Sequence, residues 1–179
     1  MSISNNNFLS ILLGLLALVI GSYISFDVPI NNFEIPISLQ SLVVLLISFC
    51  LGRMNGMLVI LAYLILGALG LPVFADGNSG IDVLAGKSAG YLFGFLIAIL
   101  ILESYFENLK KSFQGIVLYM GIGTAIILLS GGLRLLQFYD MATVWEYGVQ
   151  PFLAGGIIKI LIGAAIANAY KSTKFRGEP

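Results

Sequence analysis

Six stretches of this chain run almost free of charge, and they limit what it can become. They cover residues 8–26, 39–52, 57–71, 89–102, 113–131 and 155–170. A bilayer's hydrocarbon core takes about 20 apolar residues per helix. The runs 39–52 and 57–71 fall short of that, so their helices are expected to begin in the adjoining loops. Charged residues make up 10% of the chain and hydrophobic ones 59%. A soluble domain would need roughly a quarter charged to cover its surface. Soluble enzyme, nucleic-acid binder and disordered chain are therefore excluded. The expectation is all-α: an integral membrane six-helix bundle, one transmembrane domain over 1–179.

The few charges give an independent check on the count. Six spans put both termini on one side, together with Arg53, Lys110, Lys111, Lys171, Lys174 and Arg176. Across the membrane stand Lys87 and Arg134, with Asp27, Glu34, Asp76, Asp82, Asp140 and Glu146. Basic residues mark the cytoplasmic side, so both termini are expected there, in the cell membrane. Five or seven spans would spoil this sorting. No basic residue precedes the first run, so a cleaved secretory signal is not expected.

Small residues at intervals of four suggest where helices touch. Gly86, Gly90 and Gly94 are spaced so, as are Gly52 and Gly56, and Ala17 and Gly21. Packing within the bundle is one reading. For the Ala17 and Gly21 face, docking of another membrane subunit is the other. Trp145, Tyr139 and Tyr147 read as interfacial anchors. The stretch 133–150 mixes apolar and polar residues and suits a short external amphipathic helix.

Chemistry is sparse. Histidine is absent, which removes the usual general base and a common metal ligand. The single cysteine, Cys50, lies in an apolar run and reads as a small buried hydrophobe. Neither a metal nor a catalytic constellation is expected, and no cofactor. Nor does the sequence contain a nucleotide-binding motif to power transport. Gly86-Lys87-Ser88 invites a phosphate-loop reading, but that motif needs glycine where Ile81 stands.

Two places remain informative. The glycine-rich loop 71–90 carries Val73 and Phe74 on the outer side, so it is either a lid over a pocket or a re-entrant packing element. Lys159 sits inside the sixth run with no acid within a helical turn. It either snorkels to the interface or lines an external pocket as a cation for a carboxylate. Gln40 opens the second run, either as a cap or inter-helix bond or as a pocket donor. Glu103 and Glu107 with Lys110 and Lys111 read as a solvated helix end. The residues thus describe a passive membrane binder with an external pocket.

Several stretches resemble BioY, the biotin-capturing S component of energy-coupling factor (ECF) transporters. They are Ile-Pro-Ile-Ser-Leu-Gln at 35–40, Leu51-Gly52-Arg53 with Gly56, and Tyr-Leu-Ile-Leu-Gly-Ala-Leu-Gly-Leu-Pro-Val-Phe-Ala at 63–75. Gly90-Tyr91-Leu92, Gly94-Phe95, Pro151-Phe152-Leu153, Gly155 and Lys159 complete the likeness, which spans nearly the whole chain. It implies six helices and an outer pocket closed by the loops after the first and third spans. It also implies a transmembrane coupling subunit and two cytoplasmic ATPases as partners, with Ala17 and Gly21 facing the coupling subunit. Carried over by position, Asn78 would hydrogen-bond the ligand, Lys159 would contact it, and Tyr91 and Phe74 would supply apolar walls.

One departure bears on the substrate. The family's last motif reads Pro-Gly-Asp-x-x-Lys, whereas Ala154 and Gly156 occupy the proline and aspartate positions here. The absent acid is the expected acceptor for biotin's ureido nitrogens. Gly-Pro-Thr-Gly-Gly-Tyr is likewise replaced by Gly-Lys-Ser-Ala-Gly-Tyr, which adds Lys87 to the site. Biotin is the leading expectation. Another carboxylate such as lipoate or a biotin precursor is the alternative, and a membrane scaffold without a small ligand is the third.

Overall fold

Lipid offers no partners to backbone N–H and C=O groups, so apolar runs of this length must satisfy them internally as helix. The computed structural model describes residues 5–30 and 33–175, with side chains over 7–25 and 38–173. The expected Arg176 lies outside the described residues, as does the side chain of Lys174. Helix α1 covers Asn5–Tyr23. Strands β1 (Ser25–Ile30) and β2 (Phe33–Ser38) follow as an antiparallel hairpin. Next come α2 (Gln40–Ala68), the short α3 (Ile81–Ala85), α4 (Ala89–Tyr105) and α5 (Phe113–Leu135). A single turn, α6 (Met141–Thr143), leads through a π-helical turn at Val144–Val149 into α7 (Gln150–Phe175).

The continuous span of α2 hides a reversal. Gln40 and Tyr63 would stand about 35 Å apart on a straight helix. Instead the Gln40 amide donates to the Tyr63 hydroxyl. The fold-back is at Gly52, whose φ of 71° and ψ of −173° lie in a region essentially reserved for glycine. Two antiparallel arms result, 40–51 and 53–68, and they bring the number of crossings to six. The second arm recruits 53–56 from the loop before its apolar run, as expected, whereas the first begins at Gln40 and recruits no loop residues. The reason lies in β2, which holds the chain extended up to Ser38. Gly52→Ala is expected to cost about 1–3 kcal/mol, read as a lower unfolding temperature in detergent.

Tight helix contacts confirm that small residues set the packing. A Cβ on Gly94 would sit 3.0 Å from the Ser130 side chain, and one on Gly90 2.5 Å from the Ser130 carbonyl. These glycines seat α4 on α5. Gly21 is buried in the same way, with Val43 of α2 at 2.9 Å from its Cβ position. Gly21 therefore packs within the bundle, the first of its two readings, whereas Ala17 is exposed. Leu18, Val44, Ile60, Ile99, Leu102 and Met120 form the fully buried centre. Outward stand Leu13, Leu16 and Ile20 on α1 and Ile157, Ile158 and Leu161 on α7, apolar and exposed. That inside-and-outside apolarity is a lipid solvent's signature rather than water's. By length and composition 40–68, 113–135 and 141–173 are long enough to cross a membrane, while 7–23 and 89–105 are shorter apolar helices.

Two sequence expectations change here. The stretch 133–150 forms no separate amphipathic helix: α5 consumes it to Leu135, and after Asp140 it is helical into α7. Asp140 caps that restart, accepting from the Thr143 backbone N–H at 2.8 Å. This bond and the Thr143 hydroxyl hold its carboxyl below the usual carboxylate range. Glu103, expected at a solvated end, is instead drawn inward. Its Oε1 lies 2.6 Å from Lys110 Nζ, with the two side chains 5% and 17% exposed. The turn after Tyr105 folds the chain back so that Lys110 meets Glu103 from beneath. Glu107 and Lys111 stay exposed, as expected.

Candidate functional site

Opposite the Gly52 reversal, the bundle opens into a cavity of about 540 Å³. That volume falls in the range of pockets for vitamin-sized ligands, roughly 300–1,000 Å³. Gln40, Phe74, Asn78, Lys87, Tyr91 and Lys159 all stand on its walls. They come from α2, from the 69–88 loop, from α4 and from α7, so only the folded bundle brings them together.

Each wall residue is held by a specific device. Phe74 is 2% exposed and meets Tyr63 edge-on, with ring centroids 5.4 Å apart. Its ring occupies the place of a missing side chain, since a Cβ on Gly67 would fall 2.0 Å from it. The turn that follows closes on itself: the Phe74 N–H donates to the Asn78 carbonyl, and the Asn78 amide donates to the Ala75 carbonyl at 2.8 Å. From α1, the Ser22 hydroxyl donates to the Val73 carbonyl at 2.8 Å. The Tyr23 hydroxyl donates to the Pro72 carbonyl, and Ser25 Oγ donates to Asp76 Oδ1 at 2.7 Å. The loop is thus pinned inward as a wall of the cavity and a packing element at once, joining the two readings of its sequence.

Tyr91 is braced by three elements. Its ring fills the space over Gly131 of α5, where a Cβ would lie 2.1 Å away. Phe152 of α7 faces it at 5.8 Å between centroids. The hydroxyl donates to the Gly148 carbonyl at 2.7 Å, within the π-helical turn. Lys87 donates to the Tyr139 hydroxyl and stands 4.7 Å from that ring's centroid, a cation–π contact. Arg134 ties the adjoining loop to α5 by donating to the Gly86 carbonyl at 3.1 Å.

Lys159 is half-buried, and its Nζ donates to the Ser38 carbonyl at 2.7 Å. That contact joins α7 to the end of β2. The ammonium retains donors beyond this one, because it carries three. Gly156, one turn earlier on α7, also lines the cavity, and a Cβ there would meet only Thr124 Cγ2 at 3.7 Å. The glycine is therefore no packing requirement; it leaves space.

Several lining residues escaped the sequence reading. Thr124 and Ile127 lie mid-span with no local signal, whereas Phe152 and Phe95 lay inside motifs already noted. Tyr139 and Tyr147 read as interfacial anchors but line the cavity as well. Asp76 counted only as an external charge.

A multi-pass membrane protein with a ligand-sized cavity at one end of a six-helix bundle is the class these features define. The chain belongs to the BioY family, whose model matches residues 1–175. It is 36% identical to the biotin transporter BioY of Thermotoga maritima over 156 residues, covering 86% of this chain and 89% of the relative. Likeness to biotin transporter BioY2 of Lactococcus lactis is 31% over 169 residues, covering 90% and 91%. The fold matches the crystal structure of the S-component for biotin from an ECF-type ABC transporter, with a TM-score of 0.81 and 22% identity. That match covers 96% of this chain and 95% of the other and establishes the shared fold.

Proposed function

We propose that this chain is the substrate-binding subunit of an ECF-type importer and captures biotin in the cavity described above. The observation that carries the reading is the convergence of Asn78, Lys159, Tyr91 and Phe74 on one cavity of vitamin size. Biotin pairs an apolar thiophane ring with a ureido group and a carboxylate tail. Phe74, Tyr91 and Phe152 offer apolar surface for the ring. Lys159 is the cation for the carboxylate, Asn78 and Gln40 supply polar contacts, and Lys87 adds a second positive charge at the wall. A water-excluding pocket has to pair each polar ligand group, since each one left bare costs about 1–3 kcal/mol.

In this reading both termini are cytoplasmic, the cavity faces outward, and the six spans form one transmembrane domain of the cell membrane. The chain itself is no enzyme. A transmembrane coupling subunit and two cytoplasmic ATPases supply the energy, and the exposed α1 surface around Ala17 is the docking face. Reconstitution with those subunits in proteoliposomes tests this. Labelled biotin should accumulate only when ATP is present on the ATPase side, and accumulation without ATP or without the partners would contradict it.

Gly156 favours a second reading, the same architecture with another carboxylate ligand. Lipoate or dethiobiotin displacing labelled ligand more strongly than biotin would establish that alternative.

A further inference from the structure

The cavity presents an uneven set of charges. Two lysines, Lys87 and Lys159, line it, and among the described residues a single acid does, Asp76. The geometry points to Asp76 as the acceptor for the ligand's N–H donors, in the role that Gly156 leaves vacant. This inference rests on the biotin reading and names the residue that completes it.

Four observations carry it. First, Asp76 is the one non-glycine residue with positive φ among those described, at 57°. Glycine would adopt this conformation without strain. Sparsely populated backbone conformations concentrate at ligand-binding positions, where surrounding structure holds them. Second, the surrounding turn is rigid: Phe74 is anchored in the core, Asn78 bonds back to Ala75, and the Gly77 N–H donates to the Phe74 carbonyl. A carboxylate on such a turn is pre-organised, which saves ordering cost on binding.

Third, Ser25 holds Oδ1 from one side at 2.7 Å, which orients the carboxylate, and Oδ2 remains able to accept. No lysine ion-pairs with it among the described residues. Fourth, the other side-chain acceptors of the wall are neutral oxygens, even where their donors are already used. Thr124 donates to the Met120 carbonyl, Tyr91 to the Gly148 carbonyl, and the Gln40 amide to Tyr63. A ureido group brings two N–H donors, and a charged acceptor makes the strongest hydrogen bond with them.

Equilibrium binding of labelled biotin to purified variants tests the assignment. Asp76→Gly removes the carboxylate and relaxes the backbone, so the fold is retained; binding should weaken at least tenfold. Asp76→Asn, which keeps an acceptor oxygen without the charge, should weaken it less. Ser25→Ala removes only the orienting bond and should cost less than Asp76→Gly. Adding Gly156→Asp to Asp76→Gly, where the cavity has room, should restore much of the loss. Wild-type affinity in Asp76→Gly would overturn the assignment while leaving the biotin reading intact. A Ser25→Ala loss as large as that of Asp76→Gly would reduce Asp76 to a structural latch. Absence of biotin binding by the unaltered chain would instead overturn the biotin reading itself.

Discussion

Replacing Glu103 by alanine is expected to lower the unfolding temperature of the detergent-purified protein by roughly 6–20 °C. Glu103 neutralises a largely buried lysine. Lys110 approaches it to 2.6 Å, with the carboxylate side chain 5% exposed. The Tyr119 hydroxyl donates to the same carboxylate, and the Ser48 hydroxyl lies 2.6 Å from that of Tyr119. Phe49 and Tyr119 also turn their rings to Lys110 at 5.5 and 5.4 Å. Four elements thus meet on one ion pair: the first arm of α2, the end of α4, the turn after it, and α5. Deleting one partner of a buried pair leaves the other charge uncompensated, at about 3–5 kcal/mol. Replacing both by apolar groups is far milder, so Glu103→Ala with Lys110→Met should recover much of the loss. A single variant melting within about 2 °C of the parent would refute this account of the network.

Lys159→Ala carries the second large effect, on ligand affinity rather than on stability. The ammonium reaches the Ser38 carbonyl, and beside it the cavity runs along Gly156 toward Phe152 and Tyr91. A charge-assisted hydrogen bond to a carboxylate contributes about 1.5–3 kcal/mol. Its loss corresponds to roughly 10- to 150-fold weaker binding. Methyl-ester biotin, lacking the carboxylate charge, should lose much less between parent and variant. Unchanged affinity for free biotin would assign Lys159 to tethering α7 against β2 at Ser38.

The sequence made the crossings visible because lipid demands long apolar helices, and it made Lys159 visible because charge at that depth is rare. All six candidate pocket residues reach one cavity: Lys159, Gln40 and Phe74 stood out against an apolar or loop background, whereas Asn78 and Tyr91 came from the family resemblance and Lys87 from a departure from it. What stayed hidden depends on contacts between distant segments. Gly52 looked like one of a small-residue pair, yet its backbone reverses the chain. The β-hairpin at 25–38 was expected only as a loop; Pro29 and Pro36 disfavour strand but are tolerated where only two strands pair. Glu103 resembled its exposed neighbour Glu107; only the chain reversal that brings Lys110 beneath it separates them. Gly21 shares its spacing with Ala17 but presses on Val43, a difference set by helix rotation that spacing alone does not encode.

Equilibrium binding of labelled biotin to the purified chain, in detergent or a lipid disc and without partner subunits, decides whether the cavity is a biotin site. Saturable one-site binding with Kd below micromolar, competed by unlabelled biotin more strongly than by lipoate or dethiobiotin, is the predicted result. An absence of saturable binding in that range would contradict it.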